Sequence, residues 1–108
     1  MSKIPSINSN KDFSNIYKKG KKWYCSGAII FYLVGVENKL AVVASKKVGN
    51  AVLRNRSKRL LRAIFSSLSN ELSIGSYVFI ARTEISQLSF LELERNLKWG
   101  LKKLGCLE

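Results

Sequence analysis

The sequence predicts an α/β sandwich of two layers, a small sheet packed on helices. Three observations lead there. Helix and strand patterns follow one another in the order helix, strands, helix, strand, helix, and elements so alternated bury their apolar sides against each other. The 108 residues suffice for one compact domain, read as residues 1–108. Hydrophobic residues make up 46% of them, enough for a core and too many for a disordered chain.

Residues 1–8 carry little pattern and read as a loose lead-in. Ser9-Asn10-Lys11-Asp12 is a helix start, with a capping side chain and an acid in the first turn. Phe13, Ile16 and Tyr17 follow at i, i+3, i+4, and Gly20 after Lys18-Lys19 is a helix stop. Lys21–Tyr24 reads as a short strand or an extended arm. Ala28–Val36 is apolar and rich in β-branched residues, a buried strand. Its Ile29, Phe31 and Leu33 face one way, and Ile30, Tyr32 and Val34 the other. Glu37-Asn38 suits a tight turn, so Leu40–Ser45 is expected to return as the second strand of a hairpin. After the bend at Gly49, Asn50 is the expected cap of a helix. At 100° per residue Leu53, Leu60, Leu61, Ile64, Phe65 and Leu68 share one side of it. Ser57 falls within that apolar side and is expected to bond back to the Leu53 carbonyl. A loop over Ser69–Ser76 precedes the strand Tyr77–Arg82. Ser89 and Glu92 form a capping box with Leu88 and Leu93 as its staple, opening a last helix that ends at Gly105.

Composition narrows the function. The formal charge is +12, which calls for a polyanionic partner. There is no histidine, and Cys25 and Cys106 alone cannot complete a structural zinc site. The seven acids are scattered, no D-x-D pair or phosphate-binding glycine loop occurs, and neither cysteine has a base to activate it. No catalytic residues and no protein-bound metal or cofactor are therefore expected. No signal-like segment and no run of about 18 apolar residues occurs, so a cytoplasmic protein with reduced cysteines and no membrane contact is expected.

The informative stretch is SKKVGNAVLRNRSKRLLRAIF, residues 45–65. It holds Lys46, Lys47, Arg54, Arg56, Lys58, Arg59 and Arg62 and no acid. A solvated helix face normally mixes charge signs, whereas seven unopposed cations suit phosphates. Arg54-Asn55-Arg56 adds guanidinium forks and an amide that suit phosphate, 2′-OH or base edges. Phe13, Tyr17, Phe31 and Tyr32 are a weaker signal. They suit either core packing or the stacking of unpaired bases.

This stretch closely resembles the signature of the bacterial ribonuclease P protein subunit, with its Arg-Asn-Arg helix. DFSNIYKKG, YVFIAR and LSFLELERNL resemble the family's first helix, last strand and final helix, so the similarity spans roughly residues 11–104. The resemblance implies the order α-β-β-β-α-β-α, with a mixed sheet and a left-handed crossover at the basic helix. It implies a subunit of an endoribonuclease whose RNA is the catalyst and which removes the 5′ leader of precursor tRNA with Mg²⁺. The partners implied are the RNA subunit and precursor tRNA, with no DNA expected. Lys46, Lys47, Asn50, Arg54, Asn55, Arg56, Lys58, Arg59 and Arg62 would then contact RNA. Phe13, Tyr17 and a strand aromatic, Phe31 or, after a one-residue shift, Tyr32, would line a leader-binding cleft. The sequence departs from the family pattern in three places. Ser57 stands for a bulky apolar residue, Ala63 for an acid, and Asn8-Ser9 for basic residues. Two other readings are a general structured-RNA-binding or ribosomal-type protein and a protein-only nuclease. The missing histidine and acid pairs argue against the last.

Overall fold

The computed structural model describes residues 5–7 and 9–107. Its elements are α1 (Asn10–Lys19), β1 (Lys21–Tyr24), β2 (Ala28–Val34), β3 (Lys39–Val43), α2 (Ala51–Leu68), β4 (Gly75–Ala81) and α3 (Phe90–Lys103), with a 3₁₀ turn at Thr83–Gln87. The order is the α-β-β-β-α-β-α expected, and only the 3₁₀ turn was not anticipated.

The four strands form one mixed sheet in the order β1-β2-β4-β3. β2 runs antiparallel to β1 and to β4, and β3 runs parallel to β4. The expected hairpin of β2 with β3 is therefore corrected, since β4 lies between them. Burial decides the order. Tyr77, Val78 and Phe79 of β4 are all fully buried, so both faces of this strand need cover and it takes an inner position. β3 has only Leu40 buried and tolerates an edge. The four residues Gly35–Asn38 step over the end of β4, a gap of about 10 Å at two strand spacings. Asn38 Oδ1 fastens that step by accepting from the Gly75 amide at 3.2 Å. The parallel pairing of β3 with β4 requires a crossover, and α2 provides it.

One face of the sheet carries α2 and α3. Ile30, Tyr32, Leu40, Tyr77, Phe79 and Ala81 point there and meet Leu61, Ile64, Phe65, Leu93, Leu97 and Leu101. The other face carries α1 as its one helix among the described residues, and Ile16 of α1 packs there with Val78 and Ile7 beside Phe31, Leu33, Val43 and Ile80. α1 covers only part of that face, which leaves room for a groove.

The local devices are mostly those expected. Ser9 caps α1, Asn50 caps α2 through the Leu53 amide at 3.0 Å, and Ser89 and Glu92 close a reciprocal capping box. Gly105, at φ 80°, ends α3 with bonds from its amide to Lys102 and from the Cys106 amide to Leu101. That is the Schellman pattern, which needs a left-handed residue. Gly20 stops α1 for another reason. Its backbone is extended, and a Cβ there would lie 2.5 Å from the Ile16 oxygen and 2.7 Å from the Tyr32 oxygen. Only a residue without a side chain lets the chain turn this close to β2.

The loose lead-in expected for residues 1–8 is corrected at residues 5–7. The Leu40 amide donates to the Pro5 oxygen at 3.0 Å, Ser6 bridges Leu40, and Ile7 is buried. The open edge of β3 offers unpaired backbone groups, and this segment takes some of them. Residues 1–4 and Asn8, whose basic counterparts the resemblance raised, lie outside the described residues.

Candidate nucleic-acid interface

α2 sorts its side chains by the arithmetic of its turns. Leu61, Ile64, Phe65 and Leu68 are buried against the sheet, and Leu53 and Leu60 are partly buried. Ser57 sits among them, buried, and its hydroxyl donates to the Leu53 oxygen at 2.8 Å, the back-bond expected from its position. The smaller side chain leaves a cavity of about 20 Å³ beside Leu53, Leu60, Ile85 and Leu88.

The opposite side is a cationic strip. Asn55, Arg56, Arg59 and Arg62 are exposed, and Arg54 and Lys58 are half-buried. Lys46 and Lys47 stand exposed on the turn that leads into the helix, whose Val48 is buried. Among the described residues the ion pairs are Lys39–Glu37 and Arg82–Glu84, so none of these seven cations is matched by an acid. From Arg54 to Arg62 the strip runs about 12 Å along the helix, and Lys46 and Lys47 extend it beyond the N-terminus. Asn50 is also exposed, but its Oδ1 is occupied by the cap, which leaves the amide NH₂ for a partner. The Nε of Arg54 is buried and has no hydrogen-bond partner.

The aromatic residues separate into two groups. Phe13, Tyr17 and Phe31 cluster on the α1 face, the first pair tilted with ring centres 6.0 Å apart and the second edge-to-face at 4.9 Å. Tyr32 points to the other face, where its hydroxyl donates to the Ile74 oxygen at 2.8 Å and its ring meets Tyr77. The strand aromatic beside α1 is thus Phe31. Tyr17 keeps 42% of its surface exposed, a large share for a ring in an aromatic cluster. Partial burial raises its phenol pKa, so it stays a neutral donor.

The strip and the cluster meet at the edge of β3. A groove of about 220 Å³ there is lined by Ser6, Ile7 and Phe13 on one side and Ala41, Val42 and Arg62 on the other. Ser6 and Ile7 were missed in the sequence. Their place depends on the unpaired edge of β3, far along the chain, and no local pattern signals it.

Neither cysteine lines the groove. Cys25 and Cys106 are free and buried; burial pushes the Cys25 thiol up to about 11 and raises that of Cys106. Among the described residues no three His, Cys, Asp or Glu side chains gather in a way that could hold a metal ion. No helix among them is long and apolar enough to cross a membrane.

Comparison with known proteins agrees with this geometry. The family model described as Ribonuclease P matches residues 1–105. A ribonuclease P protein component of Shouchella clausii is 39% identical, over 99% of this chain and 91% of the relative. One from Nitratiruptor is 32% identical, over 96% and 95%. The solved Staphylococcus aureus RNase P protein superposes with a TM-score of 0.87 at 29% identity, covering 98% of this chain and 100% of that one.

Proposed function

The chain belongs to the ribonuclease P protein family, and from that membership we propose how it serves as the protein subunit of the enzyme. It binds the catalytic RNA through the cationic side of α2 and holds the 5′ leader of precursor tRNA in the groove between α1 and the sheet. In this reading the RNA cuts the leader, and the protein supplies binding.

The observation that carries the reading is the groove at the β3 edge, where Phe13 and Arg62 line the same space. A single strand stacked on Phe13, Tyr17 and Phe31 passes from there to cations that face phosphates. Stacking gives sequence-tolerant affinity, about 1–3 kcal/mol per base, which suits a leader of variable sequence. The orphaned Nε of Arg54 adds support. A buried donor without an acceptor is uncommon, and anion binding beside it relieves the local excess of positive charge.

The Mg²⁺ that the cleavage needs belongs, in this account, to the RNA. The acids here are few and apart, and no step is assigned to a metal on the protein.

Reconstitution tests the proposal. The purified chain is mixed with a bacterial ribonuclease P RNA and precursor tRNA at low Mg²⁺, and 5′ maturation is measured. The expected result is strong stimulation over RNA alone, with no cleavage by the protein alone. Binding of the RNA without stimulation would instead indicate a general structured-RNA-binding protein.

A further inference from the structure

The two surfaces proposed above leave out the other edge of the sheet, where the chain places its two tryptophans. A groove of about 410 Å³ opens there between β1 and α3. Trp23, Cys25 and Ser26 form one wall, and Arg95, Asn96 and Trp99 the other. Tyr24 completes the lining at the strand edge.

The groove is built by specific choices. A Cβ at Gly100 would lie 2.6 Å from Cys25 Sγ and 2.9 Å from Trp23 Cδ1, so the missing side chain lets α3 come this close. Asn96 Nδ2 donates to the Ser26 oxygen at 3.2 Å and ties the helix to the turn after β1. Arg82 donates to the Cys25 oxygen at 3.2 Å from the far side of that turn.

The surface around it is aromatic and cationic. Trp99 and Tyr24 are 58% and 59% exposed, so more than half of each side chain stays out of the core. The Lys103 ammonium stands 4.6 Å from the centre of the Trp99 ring. Lys22 and Arg82 stand 5.5 and 6.0 Å from the Tyr24 ring, which the strand alternation places on the other face of the same edge. None of the lining residues is acidic. Of the acids nearest in sequence, Glu92 closes the capping box and Glu84 holds Arg82 and the Gly27 amide, while the helical turn sets Glu94 on the flank of α3 away from Trp99 and Lys103.

An exposed ring, Trp99, framed by Arg95, Lys103 and a side-chain amide, with no acid in the lining, makes the chemistry that takes an unpaired nucleotide. The ring stacks on the base, the cations meet the phosphate, and the amide reads a base edge. The volume lies within the range of about 300–1,000 Å³ usual for small-ligand sites. We propose that the β1–α3 groove is a further RNA site, which takes an unpaired base of a single-stranded segment at the sheet edge opposite the β3 groove. It goes beyond the leader and catalytic-RNA surfaces proposed above and stands whether or not they are right.

The chain's two tryptophans both line this groove, so its intrinsic fluorescence reports on it. The full chain is titrated with a single-stranded oligoadenylate, and tryptophan emission is followed. Saturable quenching is expected, with a midpoint that holds within about twofold in Arg54→Ala/Arg56→Ala. Trp99→Ala, read through Trp23, should raise the midpoint about 5- to 150-fold, the range expected for loss of one stacked base. Arg95→Ala/Lys103→Ala changes only exposed side chains and should raise it as well. Unchanged emission at oligoadenylate concentrations that saturate binding by anisotropy would overturn the proposal. So would quenching that disappears with Arg54 and Arg56, or a midpoint that ignores both groove variants. Emission that changes with protein concentration alone, with dimers in sedimentation, would assign the groove to a second copy instead.

Discussion

Replacing Arg59 and Arg62 with alanine should lower the salt dependence of RNA binding without harming the fold. Both side chains lie exposed on α2, away from Leu61, Ile64 and Phe65, and neither takes part in an ion pair among the described residues. The strip offers seven cations, five exposed and two half-buried. If about six meet phosphates, the slope of log K against log salt is about −4 to −5, at 0.7–0.9 per contact. Affinity then falls roughly a thousandfold between 50 and 200 mM salt. Two fewer contacts reduce that to roughly a hundredfold, a slope smaller by about 1.4–1.8. Filter binding or anisotropy with ribonuclease P RNA across that salt range measures it, with a thermal melt as the fold control. An unchanged slope with an unchanged melting temperature would refute phosphate binding by this side of the helix.

Three further outcomes are expected. Gly20→Ala should destabilise the protein by more than about 1 kcal/mol in urea unfolding, because the new Cβ meets two backbone oxygens that cannot move aside. Ser57→Ala should change stability by less than about 1 kcal/mol. The lost hydroxyl bond leaves no donor stranded, and a single neutral hydrogen bond contributes about 0.5–1.5 kcal/mol, less for a back-bond within a helix; a loss above 2 kcal/mol in the same assay would contradict that. Stability should also fall between about pH 9 and 11. The Cys25 thiol is pushed up to about 11 by burial, so the folded state keeps a proton that the unfolded chain loses above about 9. That contribution is intact below 9 and lost as pH rises through the folded value, and Cys25→Ala should flatten the decline in urea midpoints.

The features legible in the sequence were those set by neighbours along the chain. Ser9, Asn50 and the Ser89–Glu92 box cap the helices as read, and Ser57 makes its expected back-bond. The cationic strip also follows from helical spacing alone. What escaped was set by long-range pairing. β2 and β3 are both apolar and adjacent, which suggests a hairpin, yet β4 enters between them because it is buried on both sides. The same pairing sets Phe31 toward α1 and Tyr32 toward the core. Pro5–Ile7 depends on an unpaired edge that no local pattern reveals. The β1–α3 groove had a readable hint, since Arg95, Trp99 and Lys103 recur every four residues on one side of α3. Its opposite wall comes from a strand some seventy residues earlier, joined by the Asn96 bond to Ser26.

The central claim is that two adjoining surfaces divide the binding, cations on α2 for the catalytic RNA and aromatics beside α1 for the leader. Measuring both affinities for two variants tests it most directly. Arg54→Ala/Arg56→Ala should weaken assembly with the RNA subunit strongly, while the melting temperature holds. Phe13→Ala should leave assembly nearly intact and weaken the holoenzyme's grip on leader-bearing precursor tRNA about 5- to 150-fold relative to leaderless tRNA. Equal losses in both assays for both variants would contradict the division.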